Sequence, residues 1–122
     1  MPDPMLLAAL FVGAALLVLP VAAAVLARRS LHFRWSAVAV GALAFVASQA
    51  VHIPLLLKLP PSPSWPLWQT CAYLGMAAAG CETVARYVAH RALGSRGFAA
   101  GVGVGLGHGG VESALLGVLV LL

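Results

Sequence analysis

Met5 to Leu26 reads MLLAALFVGAALLVLPVAAAVL, a run with no charged or hydrogen-bonding side chain. About 20 such residues, at 1.5 Å of helical rise each, match the ~30 Å hydrocarbon core of a bilayer. An amphipathic helix on a soluble core would interrupt the run with polar residues at a period of 3.6. The stretch therefore predicts a first membrane-spanning helix, with a kink at Pro20. Met1-Pro2-Asp3-Pro4 ahead of it carries no basic residue, and the run is too long for a signal-peptide core. It is read as a span retained in the mature chain.

The rest of the chain repeats the pattern. Further spans are expected over about 36–57, 67–90 and 98–122. Lys58 to Pro66, KLPPSPSWP, has too many prolines to be helical and reads as a stiff, polyproline-like connector. Trp35, Trp65 and Trp68 fall where interfacial aromatic residues belong. Composition agrees: the 122 residues are 62% hydrophobic and 8% charged, whereas soluble domains carry roughly 25% charged residues to wet their surfaces. Mean hydropathy is +1.02. The expected fold class is all-α, a polytopic transmembrane helix bundle of about four helices forming a single domain over 1–122. The closing Val118-Leu119-Val120-Leu121-Leu122 lacks a polar tail and reads as the edge of a longer fold, of which this chain is the N-terminal part.

The net charge of +4 and pI near 9.8 would suggest a nucleic-acid partner in a soluble protein. Here the arginines concentrate between apolar runs, in the stretches Arg28–Arg34 and Arg91–Arg96. They read as topology signals and contacts to lipid headgroups, with no nucleic acid involved. Their bias places both stretches in the cytoplasm and the N-terminus outside, in an inner or plasma membrane. Cys71 and Cys81 stand roughly 15 Å apart along one helix, beyond disulfide reach, and read as small packing residues.

Three spans hold polar residues that hydropathy would not place there: Ser48, Gln49 and His52 in the second, Glu82 and Arg86 in the third, His108 and Glu112 in the fourth. A charge near the bilayer centre costs about 2.5–3.5 kcal/mol on the insertion scale, and a Leu or Val returns only about 0.3–0.6 kcal/mol. Intramembrane ionisable residues are functional candidates by default. Glu82/Arg86 and His108/Glu112 are spaced i,i+4, and Gln49/His52 i,i+3, so each pair shares a helix face. Glu82, His108 and Glu112 lie within about 5 Å of the centres of their spans, whereas His52 lies about 8 Å toward the outer side. Structural readings stand beside these. Glu82 and Arg86 have the favourable order for an intrahelical ion pair, Arg86 and His90 can snorkel, and Ser48, Gln49 and the glycines of 101–110 can serve helix packing.

The strings Gln49-x-x-His52-Ile53-Pro54, Glu82-x-x-x-Arg86-Tyr87 and Gly107-His108-Gly109-Gly110-Val111-Glu112 resemble the YhfC family of intramembrane proteases, within the wider CAAX-protease and bacteriocin-processing superfamily. The resemblance runs from about Gln49 to Leu122. It implies hydrolysis of transmembrane peptide substrates by a glutamate-activated water. Glu82 would be the activating carboxylate, Arg86 its helix-mate, and His108 the second catalytic residue with Glu112 beside it. Gln49 and His52 would support substrate or oxyanion. The superfamily usually shows two adjacent glutamates where this chain has Glu82 alone, between Cys81 and Thr83. A zinc alternative would use His52, His108 and Glu112 as ligands. The roughly 11 Å depth gap between His52 and His108 disfavours it, so no cofactor is expected. The same polar residues also fit a non-catalytic scaffold for a transmembrane partner, or a proton- or metal-coupled transport element.

Overall fold

The computed structural model describes residues 3–94 and 97–122. Ser95 and Arg96, within the expected third loop, lie outside the described residues. Four α-helices follow in order: α1 (Pro4–Leu31), α2 (Trp35–Lys58), α3 (Leu67–Leu93) and α4 (Phe98–Leu121). The chain is an all-α bundle. By length and composition α1, α2 and α4 are apolar enough to cross a membrane. α3 is as long, with 27 residues, but Gln69, Thr70, Glu82, Thr83 and Arg86 make it less apolar than the other three.

Local chemistry sets the ends. Asp3 caps α1 by accepting the Met5 N–H at 2.9 Å, and Pro4 occupies the first turn, where its missing N–H is no loss. α1 continues past Leu26 to Leu31, so Arg28 and Arg29 form its last turn and do not belong to a loop as expected. Both are good helix formers, and cations are favoured at the negative end of the helix dipole. The chain then turns on His32, at φ 55°. Arg28 stacks over Trp35, 5.2 Å from the ring centroid. α1 runs unbroken through Pro20 and α2 through Pro54. α3 stops at Gly94 in the left-handed region, φ 62°, where glycine carries no Cβ penalty. Between α2 and α3 the proline-rich connector is non-helical, and Tyr73 Oη donates back to the Leu59 carbonyl at 2.6 Å.

α4 is the central helix. It packs between α1 and α2, while α3 lies mainly against α2 and meets α4 only lightly. α1 and α4 are antiparallel: Gly13 meets Leu121, and Gly110 meets Pro20. α2 and α4 run parallel: Gly103 meets Phe33 and Ala37 near their starts, and His108 meets Phe45 further along both. The α2–α4 seam is the tightest part of the molecule. A Cβ on Gly107 would overlap the Val38 carbonyl, and one on Gly41 would overlap the Val104 carbonyl. Ala37-x-x-x-Gly41 faces Gly103-x-x-x-Gly107, the small-xxx-small arrangement that lets membrane helices touch backbone to backbone. Phe33, Phe45, Ala37, Ala44, Ala89 and Val104 are buried. Large apolar side chains point outward, Phe11 and Met76 each 76% exposed, as a lipid-facing surface requires.

Candidate active site

The α2–α4 seam decides where the polar residues meet. Because α4 lies flush on α2 at Gly107, the next residue, His108, is buried at 3% exposure. Its ring stands edge-on to Phe45 of α2, centroids 5.2 Å apart and planes perpendicular. From there the imidazole spans the gap to α3, and its Nε2 lies 3.4 Å from Glu82 Oε2. That distance is long for an N–H···O bond.

Glu82 Oε2 also accepts from Arg86 Nη2 at 3.3 Å. Arg86 Nε donates to the Glu82 backbone carbonyl at 3.4 Å. The i,i+4 ion pair is thus formed. Its two ends differ in environment, the Arg86 side chain being 45% exposed and that of Glu82 19%. Arg86 reaches outward while its carboxylate partner stays inside, between an arginine of its own helix and a histidine of another.

A carboxylate only accepts, so in the neutral imidazole Nε2 carries the hydrogen and Nδ1 is bare. Nδ1 is buried without a partner. An unpaired lone pair there is consistent with this tautomer, in which no buried N–H is left unmatched.

The remaining candidates are distributed differently. Glu112, one turn beyond His108, is exposed and has no ion pair or hydrogen bond among the described residues. Its i,i+4 spacing from His108 does not bring it into the hydrogen bonds and ion pairs of Glu82 and Arg86 among the described residues. The expectation that Glu82, His108 and Glu112 face one another therefore holds in the geometry for the first two only. Gln49 Nε2 lies 3.5 Å from Ser48 Oγ. Ser48 donates to the Phe45 carbonyl of its own helix at 2.7 Å, so its bond is intrahelical and does not bridge helices. His52 lies two turns beyond Phe45, about 10 Å along the axis, and both its ring nitrogens are buried without partners. Sequence reasoning did not single out Phe45. Its relevance depends on α2 and α4 running parallel in one register, which no motif announces.

Could these residues hold a catalytic zinc? Such a site needs three protein ligands and an open position. Glu82 and His108 supply two donors at one place. Among the described residues no three His, Cys, Asp or Glu side chains gather into a metal-holding group. The donor set as arranged does not fit a three-ligand zinc site.

The arrangement places one carboxylate between an imidazole of another helix and a guanidinium of its own. In comparisons with known proteins, a family model described as YhfC intramembrane metalloprotease matches residues 15–122. No curated protein and no solved structure matches.

Proposed function

The chain belongs to the YhfC intramembrane metalloprotease family, and from that premise we propose that it hydrolyses peptide bonds of membrane-embedded substrates with a water activated by Glu82. The observation that carries the reading is the Glu82 carboxylate held between Arg86 and His108. Peptide hydrolysis needs a base within reach of the water, and a donor or charge for the oxygen that becomes negative. Glu82 takes a proton from the water as its oxygen attacks the scissile carbonyl, then returns that proton to the departing amine. The His108 Nε2–H orients the carboxylate and is the nearest donor for the developing oxyanion. Arg86 keeps a positive charge beside Glu82 through the cycle. Gln49 and His52 on α2 and Glu112 on α4 have polar capacity that this chain leaves largely unused, and are assigned to the substrate peptide. The zinc alternative is set aside because the donors do not converge, and no step above uses a metal.

The test is a transmembrane reporter peptide incubated in ¹⁸O-water with vesicles containing only this protein. Two products are expected, with one ¹⁸O in the new C-terminal carboxylate, and cleavage should persist in a strong chelator. Intact reporter would contradict the reading. Cleavage lost in chelator and restored by zinc would transfer the chemistry to a metal.

The reading also includes an orientation, N-terminus outside, resting on the arginine bias at the α1–α2 and α3–α4 ends. Single cysteines replacing Ser30 and Ser62, with Cys71 and Cys81 removed, should respond oppositely to a membrane-impermeant reagent. Ser62→Cys in the connector should label from outside, and Ser30→Cys only after permeabilisation. The reverse pattern would invert the topology.

A further inference from the structure

We propose that Phe45 is the positioning residue of the site: its ring fixes the imidazole of His108 so that Nε2–H points at Glu82. The kinetic part of this inference rests on the peptidase reading; the part concerning the ring does not.

His108 is buried, but few directional contacts fix the rotation of its ring. Its chain neighbours are Gly107 and Gly109, which offer no side chain to brace the ring. Its one polar contact, 3.4 Å to Glu82 Oε2, is long and weakly directional. Nδ1 has no partner, so no second hydrogen bond opposes rotation about the bond to the ring. The terminal torsion of histidine is intrinsically broad and close to two-fold. A half-turn would exchange ring carbons for nitrogens and remove the donor from the carboxylate. The perpendicular Phe45 ring at 5.2 Å supplies the missing restraint, since edge-to-face packing favours one relative orientation.

Phe45 is itself fixed. It is buried at 5% exposure, and its carbonyl accepts the hydroxyl of buried Ser48 at 2.7 Å. A continuous path therefore runs from the α2 backbone through the Phe45 ring to the imidazole and on to the Glu82 carboxylate. Phe45 is the member of this path with no role at the reacting atoms, so it acts through His108.

Phe33 provides a matched control. It is the same residue type, is buried to a similar degree at 4%, and packs on the same α2–α4 seam, but against Gly103. Phe45→Leu and Phe33→Leu thus remove equivalent packing near the site and away from it. Phe45→Leu should lower kcat on the reporter roughly 10- to 100-fold, as misplacement of a catalytic group does, with KM little changed. Phe33→Leu should leave kcat near wild type, and Phe45→Tyr, which keeps the ring, should recover most of the loss. The ¹⁵N signals of His108 in detergent micelles report the ring without any need for proteolysis. Wild type should show a single Nε2–H tautomer, and Phe45→Leu averaged nitrogens. If Phe45→Leu does not fold, Phe45→Met, close in volume and without a ring, takes its place in both measurements. Unchanged His108 nitrogens in the ring-less variant, or a kcat loss no larger than that of Phe33→Leu, would overturn the proposal. A wild-type protein that cleaves nothing would overturn the peptidase reading instead, with the nitrogen signals still deciding the role of Phe45.

Discussion

Glu82→Gln should lower turnover of a transmembrane reporter by about 10²- to 10⁴-fold, the range that a positioned general base contributes. The substitution is nearly isosteric. The side-chain oxygen can still accept from Arg86 and from His108, so the contacts at 3.3 and 3.4 Å keep their partners. What is lost is the negative charge and the ability to take a proton. Insertion should be undisturbed, because removing a charge from a membrane helix lowers the cost of burying it. Arg86 loses its counter-ion, but at 45% exposure it can turn outward on its long stem. The loss should fall on kcat, since in the proposed chemistry Glu82 acts on water and leaves substrate binding to other groups. Equal turnover in the variant and the parent, at equal protein in the membrane, would remove Glu82 from the chemistry.

The second large effect is structural. Gly107→Ala should destabilise the bundle by about 1–3 kcal/mol or more, the range of overpacking in a close-packed interior. Its Cβ would overlap the Val38 carbonyl and come within 3.0 Å of Ala42 N. Both are backbone atoms, so no side-chain rotation can make room and α4 must move off α2. Gly105→Ala, two residues away on the same helix, meets nothing within 4 Å. It should be neutral or stabilising by about 0.5–1 kcal/mol, the usual gain from replacing a helical glycine. Unfolded in micelles and followed by circular dichroism, Gly107→Ala should therefore fall below the parent protein while Gly105→Ala matches or exceeds it. Since His108 adjoins Gly107, only Gly107→Ala should also reduce turnover. Equal stability of the two would mean that the α2–α4 contact is looser than described.

The helices and the chemistry were legible in the sequence to different extents. Run length and the proline-rich connector were enough for four helices, because bilayer thickness imposes a length on apolar runs. The Glu82–Arg86 pair follows from helical spacing. Which helices are neighbours was not legible. In lipid, helices do not associate by burying an apolar stripe; small residues permit close approach, and α4 carries glycines on several faces. Hydropathy cannot say that Gly103 and Gly107 meet α2, that Gly117 meets α1, or that Gly105 meets nothing. The register that sets Phe45 against His108, and leaves Glu112 outside their contact, was hidden for the same reason. The extension of α1 through Arg28 and Arg29 was missed because basic residues were read as loop, although a helix C-terminus accommodates them.

In the proposed chemistry Glu82 and His108 act as one unit. Groups that act together in a single step are strongly non-additive when removed. The decisive measurement is therefore turnover of the double variant Glu82→Gln/His108→Gln, compared with both single variants in vesicles of the same composition. The double variant should be no slower than the slower single one, within a few-fold, because either change alone disables the pair. Losses that multiply would show two independent contributions and contradict the proposed chemistry.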